Sequence, residues 1–316
     1  MTTIGERLIA RPPAQALRWV EDAVGAGASV VRVRRLRGGW SAAVHALDVR
    51  AADGAMRRLV LRRYVRADWL AREPDLAERE ARVLTLLAGT AVPTPRLVAV
   101  DATAERCDVP AVLMTRVRGR VDLAPRDLDR WLARLAEPLP VIHALDVRGA
   151  TVPPYAPYYD VAHRSSPPWT RAPAAWAAVI ARVGRPAPPA PARFVHRDYH
   201  PGNVLWARGR VTAVLDWVNA SVGPPGVDVA HCRTNLAVLF GVDAADRFRE
   251  HYEALPGATR HDPYFDAVSV LDVGFASDSE TEDAPDAWTE QGRSDLSHAL
   301  RRRRLDAYVA SIATQL

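Results

Sequence analysis

Apolar and polar positions alternate in two different rhythms along this chain, and the rhythm changes near residue 118. Residues 13–24 carry apolar side chains at helical spacing and stop before Gly25 and Gly27, which predicts an amphipathic helix. From Ser29 to Arg37 valines alternate with arginines, the signature of a strand with one solvated face. Gly38-Gly39-Trp40-Ser41 interrupts that alternation and Ala43 to Val49 resumes it, so the stretch reads as a hairpin. Asp53-Gly54 marks the next turn and Arg58 to Arg63 a third strand. Glu73 to Ala88 is a charged helix with Leu76, Glu80, Val83, Leu84 and Leu87 on related faces, ended by Gly89. Leu97–Val100 and Ala111–Val117 read as two more strands. Five strands with one inserted helix predict a compact α+β lobe over residues 1–118.

Beyond residue 118 the pattern turns helical. Asp127 to Leu145 has apolar residues at the positions of one long buried helix. Residues 150–192 are proline-rich with a short helix around Ala174 to Val183, and read either as an ordered insertion over a cleft or as a loose linker. Two short apolar runs then end in polar loops, Phe194 to Trp206 and Val214 to Trp217. Gly226 to Phe240 is an apolar helix with Asp228 near its start, and Ala244–Leu255 and Asp295–Thr314 are further helical segments. No internal repeat is evident. Residues 119–316 are therefore expected to form a second, mainly helical lobe.

Composition adds limits. At 316 residues the chain can bury a sizeable core, and its 48% hydrophobic and 25% charged content is ordinary for a globular protein. No apolar run approaches the roughly 18–20 residues that span a bilayer. The start, Met1 to Arg7, lacks a basic segment followed by an apolar one, so no signal peptide is expected. With only Cys107 and Cys232, a disulfide framework is not expected, and a reducing cytoplasm is the default setting. Every basic residue is an arginine, which genomic base composition explains, yet any task usual for lysine must then fall to arginine. The net charge of +5 sits in residues 1–115, where 18 Arg oppose 13 acids; the other 24 Arg and 24 acids cancel. A nucleotide's phosphates would suit that region as well as nucleic acid would. No Arg/aromatic-rich motif favours the latter, and no nucleic-acid or membrane partner is expected.

The candidate chemistry lies in the polar loops. Asp198 and Asn203 stand five residues apart, and Asp216 closes the next apolar run. Two carboxylates and an amide on neighbouring loops are what Mg²⁺-dependent phosphoryl transfer needs, since Mg²⁺ takes hard oxygen ligands and completes its shell with water and phosphates. Asp198 would accept the proton of an attacking hydroxyl. Asn203 and Asp216 would hold the metal. The plainer readings are a loop-capping aspartate, a turn asparagine after Pro-Gly, and a packed histidine at position 200. At the Gly38-Gly39 hairpin, with Ser41 beside it, backbone amides could approach phosphates, although such a turn can equally be only a turn.

His196-x-Asp198-x-x-x-x-Asn203 followed by Leu215-Asp216-Trp217 resembles the aminoglycoside phosphotransferase family, relatives of the protein kinases, over roughly residues 30–240. The resemblance implies a bilobal protein-kinase-like α+β fold with a five-stranded antiparallel N-terminal lobe. It also implies ATP or GTP with Mg²⁺, and a hydroxyl acceptor. In that pattern Gly38, Gly39, Ser41, Arg62, Glu80, Met114 and Arg116 fall at nucleotide-binding positions. His196 would brace the loop, and Asp228 would accept its backbone amides. Two departures stand out. Arg62 occupies the place of the phosphate-gripping lysine, with strand alternation favouring it over Arg63. The loop also reads His-Arg-Asp where many antibiotic kinases have His-Gly-Asp, and Arg197 is expected to pack and pair locally.

For the acceptor, residues 261–290 hold nine acids and no arginine, interleaved with Tyr264, Phe265, Phe275 and Trp288. Asp272, Asp278, Glu282 and Trp288 are the candidate contacts to a cationic small molecule; the plain alternative is a solvated acidic loop. A kinase acting on Ser/Thr of a peptide, and a non-catalytic nucleotide-binding scaffold, are the other readings.

Overall fold

The computed structural model describes residues 10–36, 42–273 and 287–316. The chain divides into two compact units, Met1–Gly119 with Thr212–Asn219, and Arg120–Val211 with Ala220–Leu316. The sequence placed the whole of 119–316 in one lobe. Residues 212–219 instead belong with the first unit, where the Val214 amide donates to the Pro93 carbonyl at 2.7 Å.

In the first unit β1 (Ser29–Arg35), β2 (Ala43–Arg50), β3 (Met56–Arg63), β4 (Leu97–Asp101) and β5 (Ala111–Thr115) make one antiparallel sheet in the order β1-β2-β3-β5-β4. Period-two alternation sorts its side chains onto two faces. On one, Leu47, Val49, Leu59, Leu61, Ala111 and Leu113 pack with Ala16, Trp19 and Val20 of α1 (Ala14–Val24). Arg63, in phase with Leu61, is buried and pairs with Asp108. Arg62 belongs to the opposite face. After α2 (Ala67–Leu70), helix α3 (Leu76–Leu86) buries Leu76, Ala77, Glu80, Ala81, Val83 and Leu84, a stripe at helical spacing.

The second unit is mainly helical. The expected single helix over 127–145 is two, α4 (Leu128–Ala136) and α5 (Pro138–His143). Pro138 and Pro140 have no N–H to give to the preceding turn, so the hydrogen-bond ladder breaks there although apolar periodicity continues. The proline-rich stretch carries α6 (Pro173–Val183), anchored by the fully buried Trp176, whose indole donates to Asp306 at 2.9 Å. Short β6 (Arg193–Val195) pairs with β9 (Ser221–Gly223), and β7 (Val204–Ala207) and β8 (Arg210–Val214) flank a tight turn. Helix α7 (Gly226–Phe240) is buried on nearly every side, in contact with α8 (Val242–Glu253), α9 (Pro263–Val273) and, beyond short α10 (Ala287–Glu290), α11 (His298–Ala313). Buried positions on nearly every side, polar ones such as Asp228 and Thr234 included, place it in the core of this unit. Its buried Arg233 is held by Asp246 at 2.7 Å and by Asp266.

Within 261–273, helix α9 places Asp266 and Asp272 in the interior rather than on an acidic surface. Asp266 is buried, paired with Arg233 and 2.9 Å from both His261 and the Tyr308 hydroxyl. Among the described residues no helix is long and apolar enough to cross a membrane. Cys107 and Cys232 are both buried free thiols.

Within the sheet, His45 of β2 is buried, and burial together with the Arg63 and Arg35 charges pushes its pKa from 6.5 down to about 4. A histidine with a lowered folded pKa favours its neutral form in the fold. Its stability contribution is present above pH 6.5 and is lost as pH falls from there to about 4. At 1.36 kcal/mol per unit this amounts to about 3 kcal/mol at the acid end. Comparing unfolding free energies across that range, wild type should lose about that much more than His45→Leu; parallel profiles would refute the assignment.

Candidate active site

Each unit carries one group of candidate side chains. In the first, Arg62 Nη1 donates to Glu80 Oε1 and to Asp216 Oδ1, both at 2.8 Å. Tyr64 donates to the other oxygen of Glu80 at 2.8 Å, and its ring lies 5.1 Å below the Arg62 guanidinium. Burial alone would disfavour the Arg62 charge, but Asp216 and Glu80 outweigh it and hold the group protonated. The sheet and α3 explain the pairing. Arg62 leaves β3 on the face that α3 covers, and Glu80 is one of the side chains α3 turns inward. Asp216 follows β8 with φ 66, a left-handed conformation that aspartate tolerates better than most residues. The buried Trp217 beside it donates its indole N–H to the Val214 carbonyl at 3.0 Å, and α3 packs on that turn.

Of the other nucleotide-site candidates, Met114 is buried in β5, in register with Val60 and Leu97. Arg116 is 3.2 Å from Asp48 and its amide donates to Arg58. Gly38, Gly39 and Ser41 lie outside the described residues.

In the second unit the loop after β6 is built around Asp228, fully buried in the first turn of α7. Its carboxylate accepts the amides of His196 at 2.9 Å and Arg197 at 2.6 Å, and its Oδ2 lies 3.0 Å from His143 Nε2. These anchors hold Arg197 at φ 70, a strained conformation for that residue. Arg197 itself packs locally, its guanidinium 3.5 Å above the Tyr158 ring and bonded to the Ala156 carbonyl. His196 is buried and accepts the Asp198 amide on Nδ1 at 3.2 Å.

Asp198 has donors at both oxygens. Asn203 Nδ2 is 3.1 Å from Oδ2 and also donates to the Asp198 carbonyl at 2.9 Å; His231 Nε2 is 3.1 Å from Oδ1 and His200 Nε2 is 3.9 Å from it. Burial works to raise this carboxyl's pKa, but the His231 hydrogen bond and the nearby imidazoles win, holding it well below the usual carboxylate range. With its amide nitrogen committed to Asp198, Asn203 has its carbonyl oxygen as the other polar atom of its side chain.

Asp272 is buried, its carboxylate accepting the Tyr159 amide at 2.9 Å, and burial raises its pKa. It lines a small pocket with Tyr155, Arg197, Val227, His231, Phe265, Val268 and Ser269. Trp288 packs against the cluster of Leu123, Leu239 and Leu296 and stands edge-on to His200, ring centroids 5.8 Å apart. Asp278 and Glu282, with Glu280, Asp283 and Asp286, lie outside the described residues. His231 and His143 were missed in the sequence. The signal for His231 was present, because it lies three residues after Asp228 and so shares its helix face.

An antiparallel five-stranded sheet with a buried cation–glutamate pair, joined in one chain to a helical unit bearing an Asp/Asn loop, defines a phosphotransferase of the kinase-like fold. Residues 32–264 match the model of the phosphotransferase enzyme family, and this chain belongs to that family. No curated protein matches the chain by sequence. Among solved structures it is similar to a protein of Ralstonia eutropha JMP134 provisionally named an aminoglycoside phosphotransferase, at 20% identity and TM-score 0.64, covering 96% of this chain and 99% of that one. A thermostable mutant of aminoglycoside phosphotransferase APH(4)-Ia, in ternary complex with ADP and hygromycin B, matches at 19% identity and TM-score 0.62, over 94% and 99% of the two chains. The macrolide 2'-phosphotransferase MphH of Brachybacterium faecium matches at 20% and 0.53, over 92% and 98%. At such identities the likeness is one of fold.

Asp228→Ala would leave two backbone amides and His143 without their acceptor. With about 1–3 kcal/mol for each orphaned buried donor, unfolding in urea should show a loss of about 3 kcal/mol or more, and a smaller one for Asp228→Asn. An unchanged midpoint in Asp228→Ala would show that the loop does not depend on this carboxylate.

Proposed function

We propose that this phosphotransferase moves the γ-phosphoryl group of ATP or GTP to a hydroxyl of a small molecule of the antibiotic type, with Asp198 as the base. The observation that carries this reading is the state of Asp198. It is a partly buried, ionised carboxylate, braced by Asn203 and by imidazoles on a loop that Asp228 anchors.

The residues present suit Mg²⁺ as the metal. Asp216 in the first unit and the Asn203 carbonyl in the second each offer a hard oxygen donor, and the Arg62 guanidinium 2.8 Å from Asp216 is already a positive charge beside that carboxylate. When bound, the ion would screen the phosphate charges that oppose transfer. Arg62, kept protonated between Glu80 and Asp216, is the cation proposed to face the nucleotide's phosphates. Arginine keeps the charge a lysine would bring and adds bidentate geometry. Asp198 orients the acceptor hydroxyl and takes its proton as the new oxygen–phosphorus bond forms. The bond to the nucleotide's bridging oxygen breaks, and a nucleoside diphosphate leaves.

The case for a cationic acceptor is narrower than composition implied, because Asp266 and Asp272 are buried and engaged within the protein. The acceptor is best found by a mass-shift screen for added phosphate on aminoglycosides and macrolides, with Mg²⁺-ATP and Mg²⁺-GTP in parallel. Against any acceptor so found, Asp198→Ala should lower kcat by about 10²–10⁴. Near-full activity in that variant would remove Asp198 from the reaction.

A further inference from the structure

Asp198, His200 and His231 bring one oxygen and two ring nitrogens within 4.8 Å of one another. By composition an aspartate with two histidines could be a transition-metal site, and the hydrogen bonds decide against it. A ligating imidazole offers a lone pair to the metal and donates its other N–H outward. In His200 the outward nitrogen does the reverse, with Nδ1 accepting the Gly202 amide at 3.1 Å. The proton of the neutral ring is therefore on Nε2, the nitrogen facing Asp198. His231 Nε2 lies 3.1 Å from Oδ1 of a carboxylate that has no proton to give, so it too carries the hydrogen.

We propose that His231 and His200 are positioning residues for Asp198: the Nε2–H of His231 donates to Oδ1 at 3.1 Å, the Nε2–H of His200 faces the same oxygen from 3.9 Å, beyond hydrogen-bond reach, and together they fix the carboxylate's rotamer for the acceptor hydroxyl. The proposal rests on the reading of Asp198 as base. Asn203 holds Oδ2, so both oxygens are constrained. A carboxylate has about four lone-pair sites, and these donors leave room for the substrate's O–H.

The supports of the two rings are themselves specific. His231 sits one turn after Asp228 on α7, so a single helix face holds both the loop's amides and its acid. His200 needs glycine at position 202, where a Cβ would come within 2.7 Å of its Cε1, and Trp288 backs its ring edge-on.

Long-range ¹H–¹⁵N spectra of the full chain labelled at histidine test this directly. Both rings should show the Nε2–H tautomer, and Asp198→Asn should displace both signals. An Nδ1–H tautomer at either ring, or saturable Zn²⁺ binding that His231→Gln abolishes, would overturn the proposal. In kinetics with Mg²⁺-ATP and water as acceptor, His231→Leu should lower kcat about 10–100-fold with little change in the nucleotide KM. His231→Gln, which returns an amide donor, should recover most of that loss. Unchanged kcat in His231→Leu, with Asp198→Ala inactive, would sink the positioning role alone. Activity in Asp198→Ala would sink the base itself.

Discussion

One buried carboxylate, Asp228, holds the second unit's chemistry in place. Fully excluded from solvent, it accepts two consecutive backbone amides and lies beside His143, and the loop it captures includes a residue in a strained left-handed conformation. A buried acid surrounded by donors satisfies its own solvation need only while the loop keeps its shape. Loop geometry and acid burial therefore stand or fall together. Asp198 follows directly on a residue whose amide this carboxylate holds.

The absence of lysine shapes the interior. Arg62 and Arg63 are both buried on adjacent positions of β3, one on each face, and each has its own carboxylate partner. Arg233 repeats the arrangement inside the helical unit, between Asp246 and Asp266. A guanidinium can serve two acids at once through separate N–H groups, which a compact ammonium does less readily. Buried pairs of this kind contribute little net stability relative to apolar packing, but losing one partner is costly, so they fix which elements must meet.

Acidic composition misled where hydrogen bonding was decisive. Asp266 and Asp272 looked like parts of a charged surface, yet both face inward on α9, one in an ion-pair network and one capping a backbone amide of the proline-rich stretch. Likewise the apolar spacing across 127–145 continued through Pro138 while the helix did not. Periodicity reports burial, and burial survives a break in the backbone ladder.

Strand alternation, glycine turns and helical stripes were sufficient to read the antiparallel sheet, α3 and α7 from the chain alone, because those elements depend on local periodicity. The spacing of Asp198, Asn203 and Asp216 likewise singled out the loops on which the proposed function rests, since short-range loop chemistry is written in consecutive residues. Tertiary structure alone decided the partners. Residues 212–219 join the first unit, Arg62 reaches both Glu80 and Asp216, and His231 is carried from a distant helix to the oxygen of Asp198. Such contacts join residues tens of positions apart through packing, and no local pattern encodes which buried charge another will meet.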